Sequence, residues 1–262
     1  MTDTWNPAQY NRFERERELP FHDLAALIVP EPGMRVVDLG CGTGRLTRML
    51  HQQLAARETI GVDRSGRMLE TAARDPLPPG LRFERGAIEE WLGDPANEHA
   101  FDLVFSNAAL HWVDDHDRLV AALARTVKPN GQLAFQVPAN HDHPSQTVAA
   151  DLARTEPFRT ALGGWERYAP VLTPESYARR LYDAGFRAPR VMLIVYPHVL
   201  DAPEDVVEWV KGSLLTDYER RLPPELFDRF LVEYRRMLLG RLPDERPCFF
   251  PFKRILCWGR LC

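Results

Sequence analysis

Residues 36–44 read Val-Val-Asp-Leu-Gly-Cys-Gly-Thr-Gly, an apolar run that reaches an acid and then three glycines at alternate positions. The β-branched run predicts a strand, and the segment from Arg45 carries Leu46, Met49, Leu50 and Leu54 on one face of a helix. Gly40, Gly42 and Gly44 therefore form a strand-to-helix turn, where the backbone can turn tightly and approach a ligand that any Cβ would exclude. A glycine turn at a helix N-terminus predicts a nucleotide-type ligand. Its alternate spacing departs from the Gly-x-Gly-x-x-Gly of dinucleotide sites. The plainer alternative is a glycine-rich turn in some other nucleotide-binding or purely structural α/β protein.

Downstream, strands and helices keep alternating. Thr59–Asp63 is expected as the second strand, Leu81–Arg85 as the third, Phe101–Asn107 as the fourth and Gln132–Val137 as the fifth. Asp63 at the tip of the second strand suits both hydroxyls of a ribose, and its alternative is to cap the helix expected near Ser65. Met68 on that helix reads equally as core or as an adenine contact. An amphipathic helix is expected over 114–126, and Gly131 of the Pro129-Asn130-Gly131 turn is expected to supply a positive φ. In an open parallel sheet the ligand sits beyond the carboxyl ends of the strands, here between strands one and four.

The flanks read differently. A helix is expected from about Pro7, capped by Asn6, and a short one over Leu24–Ile28. Past Pro138 come a polar loop, helices over 145–156 and 173–184, a sixth strand over 190–200, two helices within 203–240 and a seventh strand over 249–259. The expected organisation is an N-terminal helical segment (1–32) closing the site and a cofactor-binding core (33–138). The remainder (139–262) ends the core and carries helical specificity insertions at about 139–185 and 203–240.

Composition narrows the partners. A formal charge of −4 supplies no overall basic field for nucleic acid. The four cysteines, Cys41, Cys248, Cys257 and Cys262, form no Cys-x-x-Cys pair, which points to reduced thiols and a cytoplasmic protein. No signal-like segment opens the chain and no apolar stretch is long enough to span a bilayer. His141-Asp142-His143 invites a metal reading, but a third ligand is not evident, so no metal is expected.

Asp38 with its three glycines resembles motif I of the class I S-adenosylmethionine-dependent methyltransferases. Asp102 ahead of the fourth strand, Ser106–Trp112 and Pro129-Asn130-Gly131 resemble that family's later motifs. Trp5-Asn6-Pro7 with Tyr10 and Phe13, Gln136-Val137-Pro138 with Asn140, Val207–Gly212 through Phe230–Tyr234, and Pro251-Phe252-Lys253-Arg254 are similar to the bacterial trans-aconitate 2-methyltransferases. That similarity spans nearly the full chain.

The resemblance implies an α/β fold: a doubly wound, seven-stranded, mostly parallel Rossmann-like sheet with helical lid segments. It implies S-adenosyl-L-methionine as cofactor, held by Asp38, Gly40, Cys41, Gly42, Gly44, Asp63, Arg64, Met68, Ala87, Ile88 and Asn107, with Asp38 helping to hold the ammonium. In the family a polar or acidic side chain after strand three often reads the adenine. Gly86 and Ala87 offer none, so backbone groups near Ala87 and Ile88, or Glu89 reaching back, are expected to serve. His111 and Trp112 are positioning candidates, with His111 also readable as a general base or a cap, and no catalytic residue is assigned. The implied acceptor is a small polycarboxylic acid, trans-aconitate, methylated on a carboxylate to a monomethyl ester. A carboxylate is ionised at neutral pH, with a pKa near ~4, so the reaction requires no strong base. Its unreacted carboxylates need donors, and the candidates are Tyr10, Arg17, Asn140, Arg167, Tyr168, Trp209 and Arg254. The expected partner is thus a small carboxylic acid, with no nucleic acid and no membrane, for a monomer or homodimer. The alternatives are another small-molecule O- or C-methyltransferase, including one for malonyl-carrier protein, or a non-catalytic cofactor-binding regulator.

Overall fold

The computed structural model describes residues 14–262, with side chains from residue 18 onward. Tyr10 and the expected helix start at Pro7 lie outside the described residues, as does the side chain of Arg17. In chain order the strands are β1 (Arg35–Leu39), β2 (Glu58–Asp63), β3 (Leu81–Arg85), β4 (Phe101–Asn107), β5 (Val127–Pro138), β6 (Phe186–Leu200) and β7 (Cys248–Leu261). They form one seven-stranded sheet in the order β3-β2-β1-β4-β5-β7-β6. The first five pair in parallel, and β7 runs antiparallel to β5. The winding reverses between β1 and β4, as expected for an open α/β sheet.

The chain forms two compact units, the larger made of 18–138, 170–194 and 254–262. Strands covered on both faces are mostly apolar, and Val36, Val37, Leu39 and Leu103–Phe105 are fully buried. One face is covered by α1 (Glu14–Ala25) and α2 (Arg45–Gln53). There Phe21, Leu24 and Leu50 pack with Leu103, Phe105, Ala134 and Leu256. On the other face lie α5 (His116–Thr126) and α8 (Pro174–Asp183). Tyr177 of α8 meets Phe135 edge-on at 5.4 Å, and its hydroxyl hydrogen-bonds His116 of α5. The remaining helices of this unit, α3 (Gly66–Ala72) and α4 (Ile88–Leu92), are short and follow β2 and β3.

The other described unit holds 139–169 and 195–253, so β6 and β7 contribute residues to both. Its helices are α6 (Pro144–Ala153), α7 (Phe158–Ala161), α9 (Glu204–Lys211), α10 (Leu214–Glu219) and α11 (Pro224–Leu239). They bury Val148, Leu152, Leu215, Tyr218, Phe230 and Tyr234 in a core of their own. The Tyr234 hydroxyl donates to the Ser145 carbonyl at 2.7 Å.

Five local expectations change, the first being that β5 starts at Val127, five residues before the expected Gln132, so that the 127–131 segment expected as a turn belongs to the strand. One helix, α1, runs through Pro20 and ends at Ala25, within the span where the short Leu24–Ile28 helix was expected, and its Pro20, Phe21, Leu24 and Ala25 are buried. The positive φ of the 129–131 turn falls on Asn130, at 64°. Gly131 is needed instead for close approach, since a Cβ there would lie 2.8 Å from Val127 and 2.9 Å from the Lys128 carbonyl. β6 starts four residues early, at Phe186 rather than Arg190. The segment 203–240 holds three helices, not two, because the chain breaks at Gly212-Ser213 between α9 and α10.

Candidate functional site

The turn after β1 is pinned to β2 by its own backbone. The Gly40 and Cys41 amides both donate to the Val62 carbonyl, at 2.8 and 3.0 Å, and the Gly44 amide donates to the Cys41 carbonyl at 3.0 Å. All three glycines have positive φ, yet they do different work. A Cβ on Gly40 would meet the Ala109 Cβ at 2.1 Å, and one on Gly44 would meet the Phe83 ring at 2.4 Å. A Cβ on Gly42 has nothing within 4 Å among the described residues. Gly40 and Gly44 therefore permit close packing within the protein, and Gly42 alone faces open space for a ligand. Cys41 fits beside this packing, with its thiol 3.0 Å from the place a Cβ on Gly61 would take.

Two carboxylates frame the turn. Asp38, at the end of β1, is 3 % exposed; its Oδ2 accepts from the Thr47 hydroxyl at 2.6 Å, and its buried Oδ1 has no hydrogen-bond partner among the described residues. Burial pushes this carboxyl up to about 7, moderated by the Thr47 hydrogen bond and reinforced by the negative charge of Asp63. A buried acceptor without a donor is costly, and a cationic ligand would relieve it. Asp63, at the tip of β2, accepts the Gly42 amide on Oδ2 at 2.9 Å and the Ser65 amide on Oδ1 at 2.8 Å. The cap of α3 is Ser65, which accepts from the Met68 amide, so Asp63 is not the cap. Each Asp63 oxygen keeps a further lone pair for a hydroxyl donor.

The other expected cofactor residues lie along the same edge of the larger unit. Arg64 is exposed, Met68 is buried, and Ala87 and Ile88 open α4 without a side-chain cap. The Gly86 amide donates to the Asp63 carbonyl at 3.1 Å, which ties the end of β3 to that of β2. His111 and Trp112 share a single 3-10 turn (Leu110–Trp112), with ring centroids 4.8 Å apart. Ala109 directly precedes this turn and is the residue against which Gly40 packs. Asn107 ends β4, and its Oδ1 accepts from Gln136. Arg254 is buried on β7 and donates to the Gln136 oxygen at 3.1 Å.

The remaining substrate candidates belong to the smaller unit. Asn140 is 3 % exposed; its oxygen accepts the Lys253 amide at 3.2 Å and its Nδ2 has no partner among the described residues. Arg167 is paired with Asp217 at 3.0 Å, and Tyr168 is exposed. Trp209 is enclosed by aromatic rings, stacked on His198 at 4.9 Å with Phe250 and Phe252 beside it, which gives it a packing role. In the 141–143 loop, Asp142 is ion-paired with Lys253. His143 Nδ1 accepts from the Ser145 amide as the cap of α6, and burial holds its imidazole below the ordinary range. Among the described residues no group of three His, Cys, Asp or Glu side chains is placed to hold a metal.

Three residues of this edge carry roles that the sequence reading did not assign. Thr47 holds Asp38, Phe83 fills the space beneath Gly44 and Gly61, and Gln136 joins Asn107 to Arg254. Thr47 had a legible signal, a small hydroxyl one helical turn past Gly44; the other two depend on strand pairing.

Residues 37–135 match a family model described as a methyltransferase domain. The chain is 44% identical over 259 residues to a trans-aconitate 2-methyltransferase of Deinococcus radiodurans, covering 97% of this chain and 96% of that one. It is 35% identical to a protein of the same name from Variovorax paradoxus, covering 98% and 96%. Among solved structures, the YcgJ protein of Bacillus subtilis shares the fold with a TM-score of 0.61 at 17% identity, covering 93% of this chain and 98% of that one.

Proposed function

The chain belongs to the trans-aconitate 2-methyltransferase family of S-adenosylmethionine-dependent enzymes, and we propose that it methylates one carboxylate of trans-aconitate, giving the monomethyl ester and S-adenosylhomocysteine. The observation that carries this reading is the 44% identity over nearly the whole length of both chains. The flanking segments set the acceptor, so full-length similarity bears on the substrate, whereas the motif at Gly40–Gly44 bears only on the cofactor.

The chemistry of the glycine turn fits the cofactor. Asp38 Oδ1 is a buried acceptor in want of a donor, and Asp63 presents lone pairs on a carboxylate held by two amides. An ammonium and a ribose diol are the complementary donors. When bound, S-adenosylmethionine supplies a methyl group on a sulfonium. In this reading Asp38 holds the ammonium, Asp63 the ribose, and the backbone at Gly42 allows close approach. Ala87 and Ile88 line the adenine end, and Asn107, His111 and Trp112 line the methyl end. Arg254 is a donor for an unreacted carboxylate.

The transfer breaks a C–S bond and forms a C–O bond, and no proton moves. The carboxylate loses its negative charge as the sulfonium loses its positive one, so a water-poor site favours the charge-dispersed transition state. Alignment of oxygen, carbon and sulfur is the main requirement, worth several orders of magnitude in effective concentration. His111 is then a wall of the site and not a base.

This reading has the enzyme acting on a free acid and not on nucleic acid, as a monomer or homodimer in the cytoplasm. The formal charge of −4 and the four free cysteines support it. Among the described residues no helix is long and apolar enough to cross a membrane. The test is incubation with methyl-labelled S-adenosylmethionine and a panel of di- and tricarboxylic acids, reading base-labile label. Trans-aconitate is expected to be the preferred acceptor; no transfer to any carboxylic acid overturns the proposal.

A further inference from the structure

The chain leaves β4 at Asn107 and enters α5 at His116, beside the point where the winding of the sheet reverses. The backbone of the segment 108–115 follows a costly course. Ala108 has a φ of 55° and Asp115 a φ of 53°, both in the left-handed region that penalises a residue with a Cβ. Such strain persists only where the surroundings over-determine it, and it gathers at ligand-facing sites. Between these two residues lies the 3-10 turn that carries His111 and Trp112.

A buried polar pair holds that turn. The Leu110 carbonyl accepts from the Val113 amide at 2.9 Å, which closes the turn, and it also accepts from His116 Nε2 at 2.9 Å. His116 Nδ1 meets the Tyr177 hydroxyl of α8. Burial holds the imidazole below its ordinary range, against the backbone hydrogen bonds of Leu110 and Val113, so the ring is neutral. Burial pushes the Tyr177 hydroxyl up, so it keeps its proton. A carbonyl only accepts, so Nε2 carries the ring proton and Nδ1 is the acceptor. The pair therefore has one direction: Tyr177 donates to His116, and His116 donates to Leu110. His116 is 2 % exposed, Tyr177 is fully buried, and both belong to the larger unit.

Packing alone does not call for these two residues. Apolar side chains of similar shape would fill the same space with no polar group left to satisfy. What the pair adds is a hydrogen bond delivered to the turn. Ala109, which precedes the turn, is the residue against which Gly40 packs. The turn is thus set against the glycine turn at one end and tied to α5 and α8 at the other.

We propose that His116 and Tyr177 are positioning residues for methyl transfer: they fix the Leu110–Trp112 turn so that the rings of His111 and Trp112 keep their place at the methyl end. The inference rests on the reading of that turn as the methyl end and adds the residues that set its geometry.

The test measures kcat and KM for trans-aconitate, and the Kd of S-adenosylhomocysteine, in wild type, His116→Asn, His116→Gln and Tyr177→Phe, well below each melting temperature. An asparagine oxygen stands near the place of Nδ1 with no donor that reaches Leu110, whereas a glutamine nitrogen stands near the place of Nε2 and restores the donor. His116→Asn is expected to lower kcat about tenfold or more, since a displaced wall misaligns the reacting atoms. His116→Gln is expected to recover kcat to within about threefold of wild type. The Kd of S-adenosylhomocysteine should stay within about twofold throughout, because Asp38 and Asp63 are untouched. Equal losses of kcat in the two histidine variants, or no loss in either, overturn the role of the pair, while wild-type turnover leaves the methylation reading standing. A parallel loss of S-adenosylhomocysteine affinity, the mark of a general disturbance, overturns it too. Wild type inactive on every carboxylic acid overturns both. If His116→Asn does not fold, Tyr177→Phe decides, since it removes one hydroxyl and keeps the ring on Phe135. A several-fold fall in its kcat at unchanged Kd supports the proposal, and an unchanged kcat overturns it.

Discussion

Asp63 Oδ2 accepts the amide of Gly42 at 2.9 Å, so the tip of β2 holds the one glycine of the turn that faces open space. The other oxygen of Asp63 accepts the Ser65 amide, which fixes the carboxylate at the start of α3. One acid thus orders the ligand-facing turn and stays available to a ligand. Removing it should have a structural effect and a binding effect, which different substitutions can separate.

Asp63→Asn keeps one acceptor and gives up the other, so either Gly42 or Ser65 loses its partner. A stability loss of about 1–2 kcal/mol follows from one lost hydrogen bond to a charged group. Affinity for S-adenosylhomocysteine should fall at least about tenfold, since the ribose hydroxyls lose a charged acceptor. Denaturant unfolding and titration calorimetry read the two effects. Unchanged affinity in a folded variant would mean that Asp63 only shapes the turn.

The glycines should respond unequally to alanine. In Gly40→Ala the new Cβ would lie 2.1 Å from the Ala109 Cβ at a φ of 79°, so the turn must rebuild and the expected outcome is insoluble or strongly destabilised protein. Gly42→Ala meets no atom of the described residues within 4 Å and should fold with a loss of about 1 kcal/mol, from its φ of 54° alone. Its cofactor affinity should nonetheless drop sharply, because the methyl group occupies the approach. Melting temperatures alongside calorimetry check this; a Gly42→Ala protein that binds normally would remove Gly42 from the site.

Asp38 makes the protein's stability depend on pH. Its folded pKa of about 7 lies above the ordinary 3.8, so its contribution is fully present below about pH 4 and is lost as pH rises through 7. Over that window the loss is on the order of 4 kcal/mol, at about 1.4 kcal/mol per unit. Asp38→Asn retains an acceptor for Thr47 and should remove this slope, which makes the cofactor-free variant more stable than wild type at pH 8. Wild-type affinity for S-adenosylhomocysteine should rise with pH up to about 7, as the carboxylate ionises against the ammonium, and the variant should show no such rise. Identical pH profiles for the two proteins would sink the assignment.

The order of the parallel strands was legible because β-branched runs, glycines and acids mark where each strand ends. The glycine turn was legible as a site for the same reason. Which glycines are needed for packing was not, since Phe83 and Ala109 come from other strands and loops and sequence spacing does not show what a Cβ would strike. The partners of Gln136 were hidden likewise, since only the pairing of β5 with β4 and β7 brings Asn107 and Arg254 to it. Trp209 shows the same gap from the other side, as an aromatic residue at this position suggests a ligand wall in the sequence and its burial among His198, Phe250 and Phe252 is visible only in the structure.

Trp209 gives the last prediction. It is 4 % exposed, stacked on His198 and edge-on to Phe250, all in the core of the smaller unit. Trp209→Ala should cost about 3–5 kcal/mol, the range for emptying a large aromatic site. Trp209→Phe keeps most of the apolar area and should cost less, and its KM for trans-aconitate should stay within about twofold of wild type. A ring that touched the acceptor would behave in the opposite way, with KM rising several-fold in the phenylalanine variant while its melting temperature hardly moved. Measuring both quantities on one preparation of Trp209→Phe distinguishes the two roles.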